Sequence, residues 1–196
     1  MLESIQSINK SRKDIIVEEA ATLIMEKGYV ATTMRDLAGR VGIEAASLYN
    51  HIKSKEQILG EICFSLANKF TTEMAIIEVS NETSIEKIKK LIKLHVNVNT
   101  ESASLASVMN DEWRHLSEPE LSSFLALRES YENKFLIILN EGIINHEFRA
   151  MDSKITLYSM LSSIRWLQHW YTNEREMSIE NIQENLIKLL LQGITI

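Results

Sequence analysis

The sequence predicts an all-α fold of about nine helices, and three observations carry that prediction. One proline and six glycines punctuate 196 residues, so little interrupts a long helix. Apolar side chains recur at three- and four-residue intervals along most of the chain. Serine, threonine or aspartate stands at the head of most of these periodic stretches, where an N-cap belongs. The expected organisation is a three-helix N-terminal domain over residues 1–54 and a larger helical domain over 55–196, with helix four, from 55, as the connector. There is no internal repeat and no low-complexity linker.

Each element follows from its own residues. The first helix, about Ser11 to Lys27, opens with Ser11 and Asp14 and closes at Gly28. Thr33 with Asp36 makes a capping box for the second, which places Leu37, Ala38 and Val41 on one face. Ala38 is small enough to let a neighbouring helix approach. Gly42 suits a left-handed turn, and Ile43 returns to the core. A third, short helix begins near Glu44 with Leu48 and Ile52 facing inward. Ser54 and Gln57 cap a fourth, from Lys55 towards Ile77. After a polar break at Val79–Thr83, Thr83 and Glu86 cap a fifth that runs from Ser84 to Thr100. A sixth covers Leu105 to Leu116. Ser117-Glu118-Pro119-Glu120 then starts a seventh, carrying Leu121, Phe124, Leu125, Arg128, Tyr131, Phe135 and Leu139 to a stop at Gly142. Ile143 to Met151 reads as a connector anchored by Phe148. Helices from Asp152 to Tyr171 and from Ser178 to Gln192 complete the chain.

The stretch TTMRDLAGRVGIEAASLYNHIKSK, from Thr32 to Lys55, carries most of the functional information. Two short helices meet at a glycine turn, and the second leaves Ala45, Ala46, Ser47, Tyr49, Asn50 and His51 on outward or flanking faces. That layout presents a helix to the major groove of double-stranded DNA. Small residues at its start allow close approach to base edges, while hydroxyls and imidazole reach phosphate oxygens. Lys55 stands in the first turn of helix four, where a cation opposes the helix dipole. A phosphate held there by the free backbone N–H groups and the lysine together would offset that cost.

This segment resembles the DNA-binding region of the TetR family of transcriptional regulators. The matching residues are Ile16 to Gly28, then Thr33, Arg35, Leu37, Ala38, Val41, Gly42, Ile43, Ser47, Leu48, Tyr49, His51, Lys53, Lys55 and Leu59. The run from Leu48 to Lys55 is the most specific part. The resemblance implies that Arg35, Ala45 and Ala46 approach bases, and that Thr33, Ser47, Tyr49, His51 and Lys55 hold phosphates. Glu44 and Ile52 depart from the common pattern. Ile52 is a volume-tolerant core change. Glu44 puts an anion towards DNA, where it would orient Arg35 or accept from a cytosine amino group.

The net charge of −6 is divided unevenly. Residues 1–55 sum to +1 and the remainder to −7. So feeble a basic footprint implies few charged phosphate contacts per subunit, with neutral donors and dimerisation supplying much of the affinity. Cys63, alone and on an apolar helix face, reads as a buried inert thiol and suits a reducing cytoplasm. The opening MLESIQSINK lacks the apolar core of a signal peptide, and no run is long enough to span a membrane, so a cytoplasmic protein is expected. No G-x-S-x-G, phosphate loop or metal-ligand spacing is present, and His95, His115, His146 and His169 make no H-x-x-x-H pair. The expectation is therefore no enzyme, no metal and no cofactor.

The last two predicted helices carry broad apolar stripes, with Leu157, Leu161 and Ile164 on one and Ile182, Leu186 and Leu189 on the other. Such a pair can bury one side on its own domain and the other on a second copy. Two-fold symmetry on a palindromic site favours that homodimer. The family resemblance implies the same, through a four-helix interface built from these two helices.

Between residues 95 and 171, polar and aromatic groups interrupt apolar helices, as they do around a ligand cavity. The residues singled out are His95, Trp113, Arg114, Arg128, Tyr131, Arg165 and Trp166. This part is similar to a TetR subgroup whose members often respond to acyl-CoA thioesters. It matches through Asp111-Glu112-Trp113-Arg114-His115-Leu116, through Arg128, Tyr131-Glu132 and Phe135, and through Glu141-Gly142, Phe148-Arg149 and Asp152. Arg165-Trp166-Leu167-Gln168-His169-Trp170-Tyr171 completes the match. By that resemblance Arg114, Arg128 and Arg165 would meet the phosphates, and Trp113, Tyr131 and Trp166 would line the acyl slot. The expected function is a ligand-responsive repressor that binds a palindromic operator as a dimer and is released by a small hydrophobic effector. Two competing readings remain at this point: a helical dimeric adaptor that does not touch DNA, and a regulator of the same architecture answering to an unrelated, drug-like hydrophobe.

Overall fold

A computed structural model describes residues 11–171 and 177–195. The opening MLESIQSIN and its Lys10 lie outside the described residues. Among those described there is no strand, only one isolated antiparallel bridge between Phe148 and Thr195. The helices are α1 (Arg12–Lys27), α2 (Met34–Val41), α3 (Ala45–Tyr49), α4 (Lys55–Glu78) and α5 (Ser84–Glu101). They continue with α6 (Ala103–Asp111), a 3-10 turn (Trp113–His115), α7 (Glu120–Ile144), α8 (Ser153–Arg165), α9 (Leu167–Trp170) and α10 (Ile179–Gln192).

Most of the expected caps form, but the one signalled at Ser117-Glu118-Pro119-Glu120 does not, and α7 starts behind Pro119, which makes no side-chain cap bond. Ser11 and Asp14 make a full capping box on α1, as do Thr33 and Asp36 on α2. Ser54 accepts from the Gln57 N–H, Thr83 from Glu86 and Ser178 from Asn181. The sixth predicted helix is shorter than expected, because the chain tightens into the 3-10 turn after Asp111. The helix expected over 152–171 is broken at Trp166, whose exposed side chain leaves Leu167 and Gln168 to turn inward. Taken as one interrupted helix, α8 and α9 bring the α-helices among the described residues to the predicted nine.

The end of α7 corrects the reading of Gly142. The helix runs two residues beyond it, and the left-handed position falls to His146, with φ of 59°. Gly142 is needed for space. A Cβ there would stand 2.3 Å from two ring carbons of Phe148, which is itself 1% exposed. Phe148 thus anchors the α7–α8 connector as expected, and the Arg149 N–H reaches the Ile194 carbonyl at 2.8 Å to tie in the chain end.

Two apolar cores organise the packing. One gathers α1, α2 and α3 with the first half of α4, and takes Val108, Leu116 and Phe124 from beyond it. The other surrounds α5 with the second half of α4, α7, α8, α9 and α10. Helix α4 therefore belongs to both, and its midpoint joins them. Cys63 is wholly buried in the first core, and burial pushes its thiol up to about 12, so it stays protonated.

Candidate DNA-binding face and effector cavity

The helix-turn-helix is set by a few local choices. Gly42 ends α2 in the left-handed conformation, at φ 72° and ψ 37°, and the Ile43 N–H returns to the Ala38 carbonyl at 3.0 Å. Leu48 and Ile52 are fully buried, which pins α3 by its underside. Ala45, Ala46, Tyr49, Asn50 and His51 are consequently exposed, Ser47 is half-buried, and Arg35 stands exposed on α2. Tyr49 is 50% exposed, an unusual position for a large aromatic side chain. Among the described residues, the side chains of Arg35, Tyr49, Asn50 and His51 meet no hydrogen-bonding or charged partner. The other α2 arginine behaves differently. Arg40 donates to both Glu26 oxygens, at 2.5 and 2.9 Å, and to Glu19 at 3.1 Å, and so fastens α2 to α1.

Two expected phosphate contacts are spent inside the chain. Lys55 Nζ donates to the carbonyls of Tyr29 at 2.8 Å, Thr32 at 2.9 Å and Val30 at 3.4 Å, and lies 4.3 Å from the centre of the Tyr29 ring. An ammonium has three protons, and all three are used. The cost of a cation at the start of α4 is offset by these carbonyls and by the ring face, not by an anion. Thr33 likewise gives its hydroxyl proton to Asp36 at 2.8 Å and its N–H to the same oxygen at 3.1 Å. Neither side chain offers a free donor to DNA.

A cavity of about 280 Å³ opens between α4, α5, α6, α7 and α8. Six of the seven predicted effector residues line it: His95, Trp113, Arg114, Arg128, Tyr131 and Arg165. Trp166 does not. It is 63% exposed and points to the outside, because the break after α8 rotates it away. The deep wall is aromatic: His95 stacks on Phe70 at 4.5 Å, and its Nε2 meets the Tyr131 hydroxyl at 2.7 Å. Burial lowers the His95 pKa to about 4 and raises that of Tyr131, so both are neutral. At the rim Arg165 pairs with Asp111, and Arg128 with Glu132 at 2.8 Å. Arg114 carries no such partner among the described residues, and its guanidinium lies 5.0 Å from the Trp113 ring centre.

The predicted dimer residues separate in the structure. Leu157, Ile164 and Ile182 are core residues of the single chain and are not free to meet a second copy, whereas half-buried Leu161 forms part of the cavity wall. The stripes on the last helices are wide because α5 covers them. Leu186 is half-buried, and Leu189, at 69% exposed, faces outward.

Sequence reasoning missed one link entirely. Glu112, between α6 and the 3-10 turn, accepts the Tyr29 N–H at 3.2 Å and lies 3.3 Å from His115. His115 in turn stacks on Tyr29 at 5.1 Å. The turn that supplies Trp113 and Arg114 to the cavity thereby grips the end of α1. The contact spans 83 residues, and no local pattern announces it.

An exposed, pinned helix behind a glycine turn, joined to a second helical unit with an internal cavity, defines a helix-turn-helix regulator. Comparison with known proteins narrows this. Residues 16–62 match the bacterial regulatory proteins of the tetR family, and residues 81–194 match the tetracyclin repressor-like C-terminal domain. The chain belongs to the TetR family of transcriptional regulators. It is 28% identical over 187 residues to the HTH-type transcriptional repressor KstR2 of Mycolicibacterium smegmatis, covering 94% of this chain and 91% of that one. The structure of the ketosteroid transcriptional regulator KstR2 of Mycobacterium tuberculosis superposes with a TM-score of 0.89 at 24% identity, over 95% and 96% of the two chains. AibR, solved in complex with isovaleryl coenzyme A and operator DNA, shares the fold with a TM-score of 0.78 at 21% identity, over 91% and 97%. No helix among the described residues is long and apolar enough to cross a membrane.

Proposed function

We propose that this regulator is a repressor that holds a palindromic operator as a homodimer and lets go when a small apolar effector fills the cavity. The observation that carries the reading is the shared wall. Trp113 and Arg114 line the cavity, and their neighbours Glu112 and His115 grip Tyr29 at the end of α1. A ligand that moves the turn must move the DNA-binding helices with it. By linkage, effector and DNA weaken each other by the same factor. Decisive release needs several kcal/mol of differential affinity.

Arg35, Ala45, Ala46, Ser47, Tyr49, Asn50 and His51 are the proposed DNA-contacting set. Leu189, with Leu186 beside it, is the proposed centre of the dimer face, and Ile155 on α8 and Trp166 just after it are further exposed apolar candidates. An acyl-CoA thioester is the favoured effector class, with Arg114 as the cation for its phosphates. The reading is supported by AibR, a protein of the same fold solved in complex with isovaleryl coenzyme A. The pairing of Arg128 with Glu132 and of Arg165 with Asp111 favours a second reading, a hydrophobe without the nucleotide, because two of the three rim cations are already neutralised.

Thermal-shift measurements with acyl-CoAs and the matching free acids test both. The first reading expects the thioesters to raise Tm and to release operator DNA, and the second expects the free acids to do so. A Tm and an operator affinity indifferent to both sets would remove the effector assignment.

A further inference from the structure

The acidic side chains described on α1–α3 and their flanks are committed to the domain's own structure, with one exception. Asp14 accepts from the Ser11 hydroxyl at 2.8 Å and Asp36 from that of Thr33 at 2.8 Å, while Glu19 and Glu26 hold Arg40. Glu18 is engaged as well. Glu44 is not. Its side chain is exposed, makes no cap bond to α3, and has no hydrogen-bonding or charged partner among the described residues. The Ser47 N–H, a usual donor to such a cap, goes to the Glu44 carbonyl instead, at 2.9 Å. Nor does Glu44 hold Arg35, which is equally unpaired.

A free carboxylate next to exposed Ala45 and Ala46 travels to DNA with the face proposed above. Phosphates repel it, so the groups of a duplex that can bond it are donors on base edges. In the major groove these are the amino groups of adenine and cytosine. Adenine sets its N7 acceptor beside the amino group, whereas cytosine presents the donor alone. We infer that Glu44 is a specificity-determining residue, whose carboxylate accepts from the amino group of one cytosine in each operator half-site. The inference rests on the proposed reading of α3 as the operator-contacting helix. Where no such cytosine is present the same charge opposes binding, so Glu44 raises selectivity while lowering non-specific affinity.

The test selects duplexes from a randomised pool with the full-length protein, then measures affinity for the selected duplex, for single-base exchanges in it and for an unrelated duplex. The wild type should select a C·G pair at symmetric positions of the two half-sites, and lose about tenfold in affinity when one of them is exchanged. Glu44→Ala should lose the preference at that position alone, keep the rest of the motif, and bind the unrelated duplex more tightly than the wild type does. A wild-type motif without such a pair, which is read even where the variant fails to fold, would overturn the role of Glu44 and leave the operator reading intact. A motif that Glu44→Ala reproduces in full would do the same. So would loss of one and the same position in Glu44→Ala and Arg35→Ala, since the carboxylate would then act by orienting the arginine. Selection of no sequence by the wild type would overturn both.

Discussion

Arg35 and Arg40 lie five positions apart on one short helix, yet one is tied to two glutamates and the other to nothing among the described residues. That contrast separates an arginine that builds the domain from one available to DNA. Arg35→Ala should weaken operator binding by roughly 1–3 kcal/mol and relax base preference. Tyr49→Phe should weaken binding to operator and unrelated duplex alike, because a phenol on phosphate reads no base. Fluorescence anisotropy on both duplexes checks the pair, and loss of sequence preference in Tyr49→Phe but not in Arg35→Ala would reverse the assignment. Lys55 teaches the opposite lesson. Its position is conspicuous in the sequence, but its protons close the turn between α1 and α2. Lys55→Met should cost about 2 kcal/mol of stability in urea unfolding, as loss of charge-assisted hydrogen bonds does. An unchanged midpoint with weakened operator binding would return the lysine to the phosphate backbone.

At the scale of elements, helix starts were legible and helix ends less so. Ser11, Thr33, Ser54, Thr83 and Ser178 all cap where the sequence places them, since a cap is a local bond between residues three apart. Gly142 was misread because a glycine required for packing and a glycine required for a turn look alike in one dimension. The partner that distinguishes them, Phe148, arrives only through the fold. Gly142→Ala should destabilise by about 1–3 kcal/mol, since the strain outweighs the gain in helix propensity of about 1 kcal/mol. Gly60, inside α4 with nothing within 4 Å of its missing Cβ, supplies the control, and Gly60→Ala should stabilise. Thermal unfolding of the two variants reads opposite signs, and a shared sign would contradict the packing role of Gly142. The apolar stripes of α8 and α10 were visible too, but not which part of each α5 covers; Leu157, Ile164 and Ile182 went to the monomer core for that reason.

Across the whole molecule, the chain places most of its acidity away from the DNA-binding helices and keeps those helices nearly neutral. Operator affinity must then come from neutral donors and from two copies acting together, so the log K against log salt slope should be shallower than about −10. Connection between the two cores runs through α4 and through the Glu112–Tyr29 contact. The DNA-binding function was readable from one stretch of two dozen residues. The contact through which the proposed switch would act was not, because it joins side chains distant in sequence.

Titration of the intact protein against the promoter segment beside its own gene, with a scrambled duplex of equal length as the reference, measures the proposed operator recognition itself. Binding should saturate at two chains per palindromic site, with a preference over the scrambled duplex of at least about a thousandfold. Equal affinity for the two duplexes would contradict it.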